Sequence, residues 1–252
     1  MGYVISISNH KGGVGKTTSV ASIGVCLARE GYRTLLIDLD PQANLTQCLG
    51  EEEGGGDTIY EALTGKSSLE PRLLEENLYL VASTLDLSGV EIEIASNIGR
   101  ERTLEDLLEP VRDSYDYILI DCPPSLGLLT LNAFTASDEI YIPQQAQYLS
   151  MKGLSKLLEI VELVKKRLNS RLRISGVFVT QFDRRKVLNR NVSEAIEKNF
   201  REIAFKTAIR DNIALAEAPS VGSSIFDYAP DSYGAEDYRS LVAEILSRHN
   251  TK

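Results

Sequence analysis

The stretch YVISISNHKGGVGKTTS, residues 3–19, constrains this chain more than any other. A β-rich apolar run at residues 3–8 leads into Gly12, Gly13, Gly15 and Lys16, and a helix-like segment opens at Thr17. Glycines let successive backbone N–H groups converge on an anion, and a helix N-terminus adds the positive end of its dipole. Strand, glycine loop and helix in this order form a phosphate cradle, which requires a sheet behind it. Lys16 is expected to bridge β- and γ-phosphates and the Thr17 hydroxyl to ligate Mg²⁺. Gly12, Gly13, Val14, Gly15, Lys16, Thr17 and Thr18 are thus the cofactor-binding candidates of the loop. The loop departs from G-x-x-x-x-G-K-[ST] at its start, where His10 replaces the first glycine and a second lysine, Lys11, precedes the others.

The rest of the chain repeats the strand–helix alternation. β-rich runs recur at residues 34–38, 78–82, 117–121, 139–143 and 174–180. A helix is predicted over 17–30, with Val20, Ile23 and Leu27 on one face and a stop at Gly31. Another is predicted over 151–168, where Leu154, Leu157, Leu158, Val161 and Val164 recur at helical spacing. Near-continuous apolar strands between amphipathic helices predict an α/β fold: a doubly wound, mostly parallel β-sheet with helices on both faces. The 252 residues suit one such domain, 1–252, with the acidic stretch 50–58 as its loosest part. The cysteines, Cys26, Cys48 and Cys122, are odd in number and without C-x-x-C spacing, which argues against a disulfide framework or zinc site and for a reducing cytoplasm. No window approaches the roughly 18 apolar residues of a membrane span, and the N-terminus has no signal-peptide pattern.

Carboxylates stand at two further strand ends: Asp38 and Asp40 in LIDLDPQAN, and Asp121 in ILIDCPPSLG. Ligands of open α/β sheets bind beyond the carboxyl ends of the strands, so these acids fall where a nucleotide's metal and attacking water would sit. Asp121 suits holding Mg²⁺ through water. Asp40 suits orienting or deprotonating the water, and joins Thr17 and Asp121 as a metal candidate. Asp38 is a candidate on the cofactor side.

KGGVGKTT, LIDLDPQAN and YDYILIDCPPSLGLLTLNA resemble the deviant Walker A, A′ and B motifs of the ParA/Soj partitioning ATPases, P-loop NTPases of the ParA/MinD superfamily. The resemblance extends through IPQQAQYLSMKGLSKLLEIVELVKKRLN and LAEAPSVG to GAEDYRSLVAEIL, nearly the whole chain. It implies a slow, Mg²⁺-dependent ATPase that cycles between ATP and ADP and forms an ATP-sandwiched homodimer. In that dimer Lys11 crosses to the partner's phosphates and acts in catalysis beside Lys16 and Asp40. Two triphosphates facing each other in a partly dry interface strongly favour such a cation, and Gly12 beside it leaves room for close approach. The resemblance further implies nonspecific double-stranded DNA binding, a ParB-like activating partner, a cytoplasmic, nucleoid-associated location, and adenine contacts just before LAEAP, for which Arg210 and Asn212 are candidates.

The net charge of −9 repels DNA on average, so a local patch must carry such binding. Basic residues run from Lys165 to Arg190 with few acids after Glu162, and the DNA candidates within the run are Arg184, Arg185, Lys186 and Arg190. Asp211 and Ala214 occupy positions where the resembled family commonly has arginine. The strand of the phosphate loop begins at residue 3, which leaves no room ahead of it for a helix-turn-helix domain. The alternative class, a MinD-like membrane-positioning ATPase, needs a free basic amphipathic helix at the C-terminus. The tail carries Tyr238, Leu241, Val242, Ile245 and Leu246 on one stripe with a mixed-charge polar face, and fits a core-packed helix better. An iron–sulfur reductase would need paired interface cysteines, whereas packing accounts for Cys26 and Cys122.

Overall fold

The computed structural model describes residues 2–51, 56–146 and 151–250. Its sheet has seven strands: β1 (Tyr3–Ile7), β2 (Thr34–Asp38), β3 (Arg72–Glu75), β4 (Leu78–Val81), β5 (Tyr117–Asp121), β6 (Glu139–Gln145) and β7 (Arg173–Thr180). They lie in the order β3-β4-β2-β5-β1-β6-β7, and every neighbouring pair is parallel except β3–β4 at one edge. The longer helices are α1 (Lys16–Arg29), α2 (Leu128–Ala136), α3 (Met151–Arg167), α4 (Val187–Phe200) and α5 (Tyr233–Asn250). The doubly wound fold expected from the sequence is the fold observed.

Alternation along the central strands builds two cores, because successive side chains of a strand point to opposite faces. Val4, Leu35, Ile37, Ile118 and Ile120 face one core, which is closed by α2, α3 and α4. Ile5, Ile7, Leu36, Tyr117 and Leu119 face the other, closed by α1 and α5. Tyr238, Leu241, Val242 and Ile245 are buried in this second core, Leu246 is half-buried, and the Tyr238 hydroxyl lies 3.0 Å from Ser19 Oγ of α1. The stripe that a membrane-lying helix would offer to lipid is therefore buried against the sheet. Among the described residues, no helix is long and apolar enough to cross a membrane. All three cysteines are buried as free thiols.

The bounds differ from the sequence expectation mostly by a residue or two: β6 runs two residues further, and α1 begins at Lys16 rather than Thr17. Three of these elements have no counterpart in the sequence expectation: the edge strand β3, whose residues are largely half-exposed, the helix α2, and α4, which follows a basic loop. Part of the acidic stretch 50–58 lies outside the described residues.

A local irregularity in β7 gives a stability prediction. Ile140 pairs with Ile174 but Tyr141 with Gly176, so Ser175 is an extra residue, as in a bulge. A Cβ at Gly176 would collide with the Phe205 ring and stand 2.9 Å from Tyr141 Cδ1, and both rings are buried. Gly176→Ala is expected to destabilise the fold by about 1–3 kcal/mol, the usual cost of overpacking a filled core. A urea midpoint equal to that of the unaltered protein would refute this account.

Candidate functional site

The registers Ile7↔Asp121 and Asp38↔Asp121 bring the ends of β1, β5 and β2 level with one another. The glycine loop, Asp121 and the Asp38–Asp40 segment consequently leave the sheet together at the carboxyl ends of its central strands, at the topological switch point of the fold. Gly13 (φ 71°) and Gly15 (φ 85°) are left-handed, a conformation that glycine adopts without penalty. A Cβ at Gly12 or Gly13 would meet nothing within 4 Å. Backbone conformation, not space within the chain, thus requires glycine at 13 and 15, and neither requires it at 12. Gly15 is the N-cap of α1, and the carbonyl of Val14, itself buried, accepts a hydrogen bond from Thr180 Oγ1 at 2.8 Å.

Lys16 is 7% exposed, and its ammonium donates one long hydrogen bond, 3.4 Å, to the Lys11 carbonyl. An ammonium has three donors, so a nearly buried one held this loosely is primed for an anion. Thr17 Oγ1 donates to Asp121 Oδ2 at 2.6 Å, whereas Asp121 Oδ1 is buried without a hydrogen-bond partner. Burial, and next the negative charge of Asp38, hold the Asp121 carboxyl well above the usual carboxylate range. Burial also pushes Asp38 up to about 6. A divalent cation beside Thr17 and Asp121 would reverse that penalty. These are hard oxygen donors, one of them orphaned, and they fit Mg²⁺, which needs only one or two protein oxygens besides waters and phosphates. The absence, among the described residues, of any cage of three or more His, Cys, Asp or Glu side chains is compatible with that mode of binding.

Asp40, Lys16, Thr17, Thr18, Gly12 and Gly13 line one open groove of about 570 Å³. Asp40 Oδ1 accepts from Gln42 N at 3.0 Å, and the Asp40 carbonyl accepts from Ser83 Oγ at 2.9 Å, so the loop carrying this acid is fixed. Asp38 behaves differently from expectation. Its Oδ2 accepts from Thr46 N (2.9 Å) and Thr46 Oγ1 (2.8 Å), its Oδ1 accepts from Asp40 N (3.2 Å), and the side chain is fully buried. With both oxygens engaged inside the chain, Asp38 shapes the Asp40 loop and does not face the groove.

Arg210 and Asn212 line a second cavity, of about 170 Å³, which reaches Gly15, Thr18 and Tyr238. The Arg210 guanidinium is already engaged, bonded to Asp237 (2.6 Å) and Glu236 (2.7 Å) and stacked 4.1 Å over the Tyr233 ring. Asn212 Oδ1 accepts from Ala214 N at 2.9 Å. His10 is half-buried, and its Nδ1 has no hydrogen-bond partner.

The basic run does not form one patch. Lys165, Lys166 and Arg167 form the last turn of α3, ahead of β7, whereas Arg184, Arg185, Lys186 and Arg190 follow it. Eight strand residues separate the two groups by roughly 23 Å, and Arg173 is paired with Glu139 at 2.7 Å. The four DNA candidates do stand together, exposed, on the loop into α4 and its first turn. Acids accompany them: Arg185 is bidentate on Asp183 (3.0 Å to each oxygen), holding that carboxyl down to about 2, and Lys186 lies 4.0 Å from Asp211. Ala214 is buried, so the position is not a free surface in this chain, whereas Asp211 is exposed.

Lys11, half-buried, donates from Nζ to Gln145 Oε1 at 2.7 Å, within its own chain. Gln145 and Gln181, at and just past the ends of β6 and β7, were not singled out from sequence; the position of strand ends in a parallel sheet is the signal that could have found them.

A family model described as "AAA domain" matches residues 2–174. The sporulation initiation inhibitor protein Soj of Bacillus subtilis is 47% identical over 251 residues, covering 98% of this chain and 99% of that protein. The chromosome-partitioning ATPase Soj of Treponema pallidum is 42% identical, covering 98% of each. Among solved structures, cobyrinic acid a,c-diamide synthase from Mycobacterium smegmatis with bound ADP and magnesium superposes with a TM-score of 0.87 at 31% identity, over 99% of this chain and 96% of that one.

Proposed function

Because the chain belongs to the ParA/Soj family of partitioning ATPases, we propose that it is a slow, Mg²⁺-dependent ATPase whose ATP state carries it onto DNA and whose hydrolysis releases it. The observation that carries the reading is the loosely held Lys16 ammonium in one groove with Thr17 and Asp40, backed by the orphaned oxygen of Asp121. Thr17 and Asp121 would hold Mg²⁺, which supplies charge neutralisation to the phosphates when bound. Lys16 donates to β- and γ-phosphate oxygens, and backbone N–H groups of Gly13 to Thr18 cradle the remainder. Asp40 receives the proton of the attacking water.

Two such subunits face each other across a two-fold axis, each supplying Lys11 to the other's phosphates. The open space around Gly12 supports this reading, since nothing within the single chain accounts for a glycine there. Arg184, Arg185, Lys186 and Arg190 contact phosphates of duplex DNA without reading sequence. Arg185 is 86% exposed, and a surface ion pair is weakly held, so exchanging Asp183 for a DNA phosphate costs little. A ParB-like protein stimulates hydrolysis, and the protein acts in the cytoplasm on the nucleoid.

The test is duplex-DNA retention with ATP, ADP or no nucleotide. Binding is expected with ATP alone, to weaken steeply with salt, and to fall about tenfold in Arg185→Glu. Binding that is independent of nucleotide, insensitive to salt, or unchanged in Arg185→Glu would overturn the DNA assignment.

A further inference from the structure

The hydrogen bond from Lys11 belongs to a closed circuit. Lys11 Nζ donates to Gln145 Oε1 at 2.7 Å, Gln145 Nε2 donates to Gln181 Oε1, and Gln181 Nε2 donates to the Gly13 carbonyl at 2.9 Å. The circuit leaves the phosphate loop at Lys11, crosses the ends of β6 and β7, and returns to the same loop two residues later. Each amide uses its oxygen to accept and its nitrogen to donate, so the polarity runs one way from the ammonium to the carbonyl.

Backbone geometry aims the second amide. Gln181 is left-handed (φ 51°), a conformation that a residue with a Cβ rarely adopts. Its neighbours leave it no choice: Thr180 Oγ1 is bonded to Val14 O, Ala146 N to Thr180 O, and Phe182 N to Ile209 O. Strain that is over-determined by its surroundings collects where a side chain must point in a set direction. Gln181 also borders both the groove and the Arg210 cavity, so it stands between the two parts of the nucleotide site.

We infer that Gln145 and Gln181 form a latch that holds Lys11 within its own chain and thereby sets the ATP concentration at which two subunits associate. The inference rests on the proposed role of Lys11 across the dimer. A neutral amide holds an ammonium by a charge–dipole contact, and a triphosphate in a partly dry interface attracts it by full charge. The latch therefore yields when a partner's ATP faces it and closes again once the γ-phosphate has left. Gln145 and Gln181 are positioning residues and touch no reacting atom.

Two substitutions of opposite sign test the latch in the full chain. Gln145→Leu removes the acceptor, and Gln145→Glu replaces it with a charge that grips the ammonium harder. The first readout is acetylation of Lys11 by acetic anhydride in the nucleotide-free protein, followed by mass spectrometry. The second is the ATP concentration at half-maximal dimerisation, followed by sedimentation. Gln145→Leu is expected to speed Lys11 acetylation about fivefold and to lower the ATP midpoint similarly, as for the loss of one hydrogen bond; Gln145→Glu is expected to move both the other way. Equal Lys11 acetylation in all three proteins, or shifts of one sign in both variants, would overturn the latch. If acetylation responds as expected but Lys11→Ala dimerises with ATP as tightly as the unaltered protein, the cross-dimer role falls, and with it the control of association.

Discussion

Lys16→Met is expected to weaken ATP and ADP binding about thirtyfold or more while leaving the nucleotide-free fold as stable as before, or more so. Methionine keeps most of the side-chain volume, so no large cavity opens in a site where Lys16 is only 7% exposed. What changes is the charge. A nearly buried ammonium with one 3.4 Å hydrogen bond is a cost to the folded chain, and its removal relieves that cost. Against a triphosphate the balance reverses, since breaking one side of a buried charge pair costs about 2–5 kcal/mol. Opposite movements of the two readouts separate loss of a ligand contact from damage to the fold. Titration with a fluorescent ADP and a urea melt measure them, and nucleotide affinity within threefold of the unaltered protein would refute the placement of Lys16 on phosphate.

Asp40→Asn is expected to lower turnover by about 10²–10⁴, the range that a positioned general base contributes, while ATP affinity changes by only a few-fold. The substitution is isosteric, and the amide oxygen can still accept from Gln42 N, so the loop keeps its shape. Its other anchor, the carbonyl bonded to Ser83 Oγ, is main chain and untouched. Asp38 cannot substitute, because both its oxygens are engaged by Thr46 and the Asp40 amide. Phosphate release in a single turnover, measured beside equilibrium ATP binding, separates the chemical step from binding. A variant that hydrolyses ATP within threefold of the unaltered protein would exclude Asp40 as the base.

The site was legible in sequence where local chemistry decides it. Gly13 and Gly15 are left-handed, α1 starts within a residue of the expected Thr17, and the central strands fall almost where their apolar runs lie. These features depend on backbone conformation and on alternation over five to ten residues, and both are written in adjacent letters. β3 escaped because a short edge strand with half-exposed residues lacks that pattern; it forms because Asn77, left-handed at φ 64°, turns the chain back against β4.

The burial of Tyr238 and Ile245 was also foreseeable, since their stripe has helical spacing whatever it packs against. The splitting of the basic run was not, because charges close in sequence lie at opposite ends of the edge strand β7. Nor was the capture of Arg210 by Asp237, 27 residues away, or of Lys11 by Gln145, 134 residues away. The sequence by itself determined the doubly wound sheet and the phosphate loop, because backbone preference and hydrophobic period act over a few residues. Only the tertiary structure decided which charged side chains face the groove and which are occupied at home, because that depends on partners that folding alone brings within 3 Å.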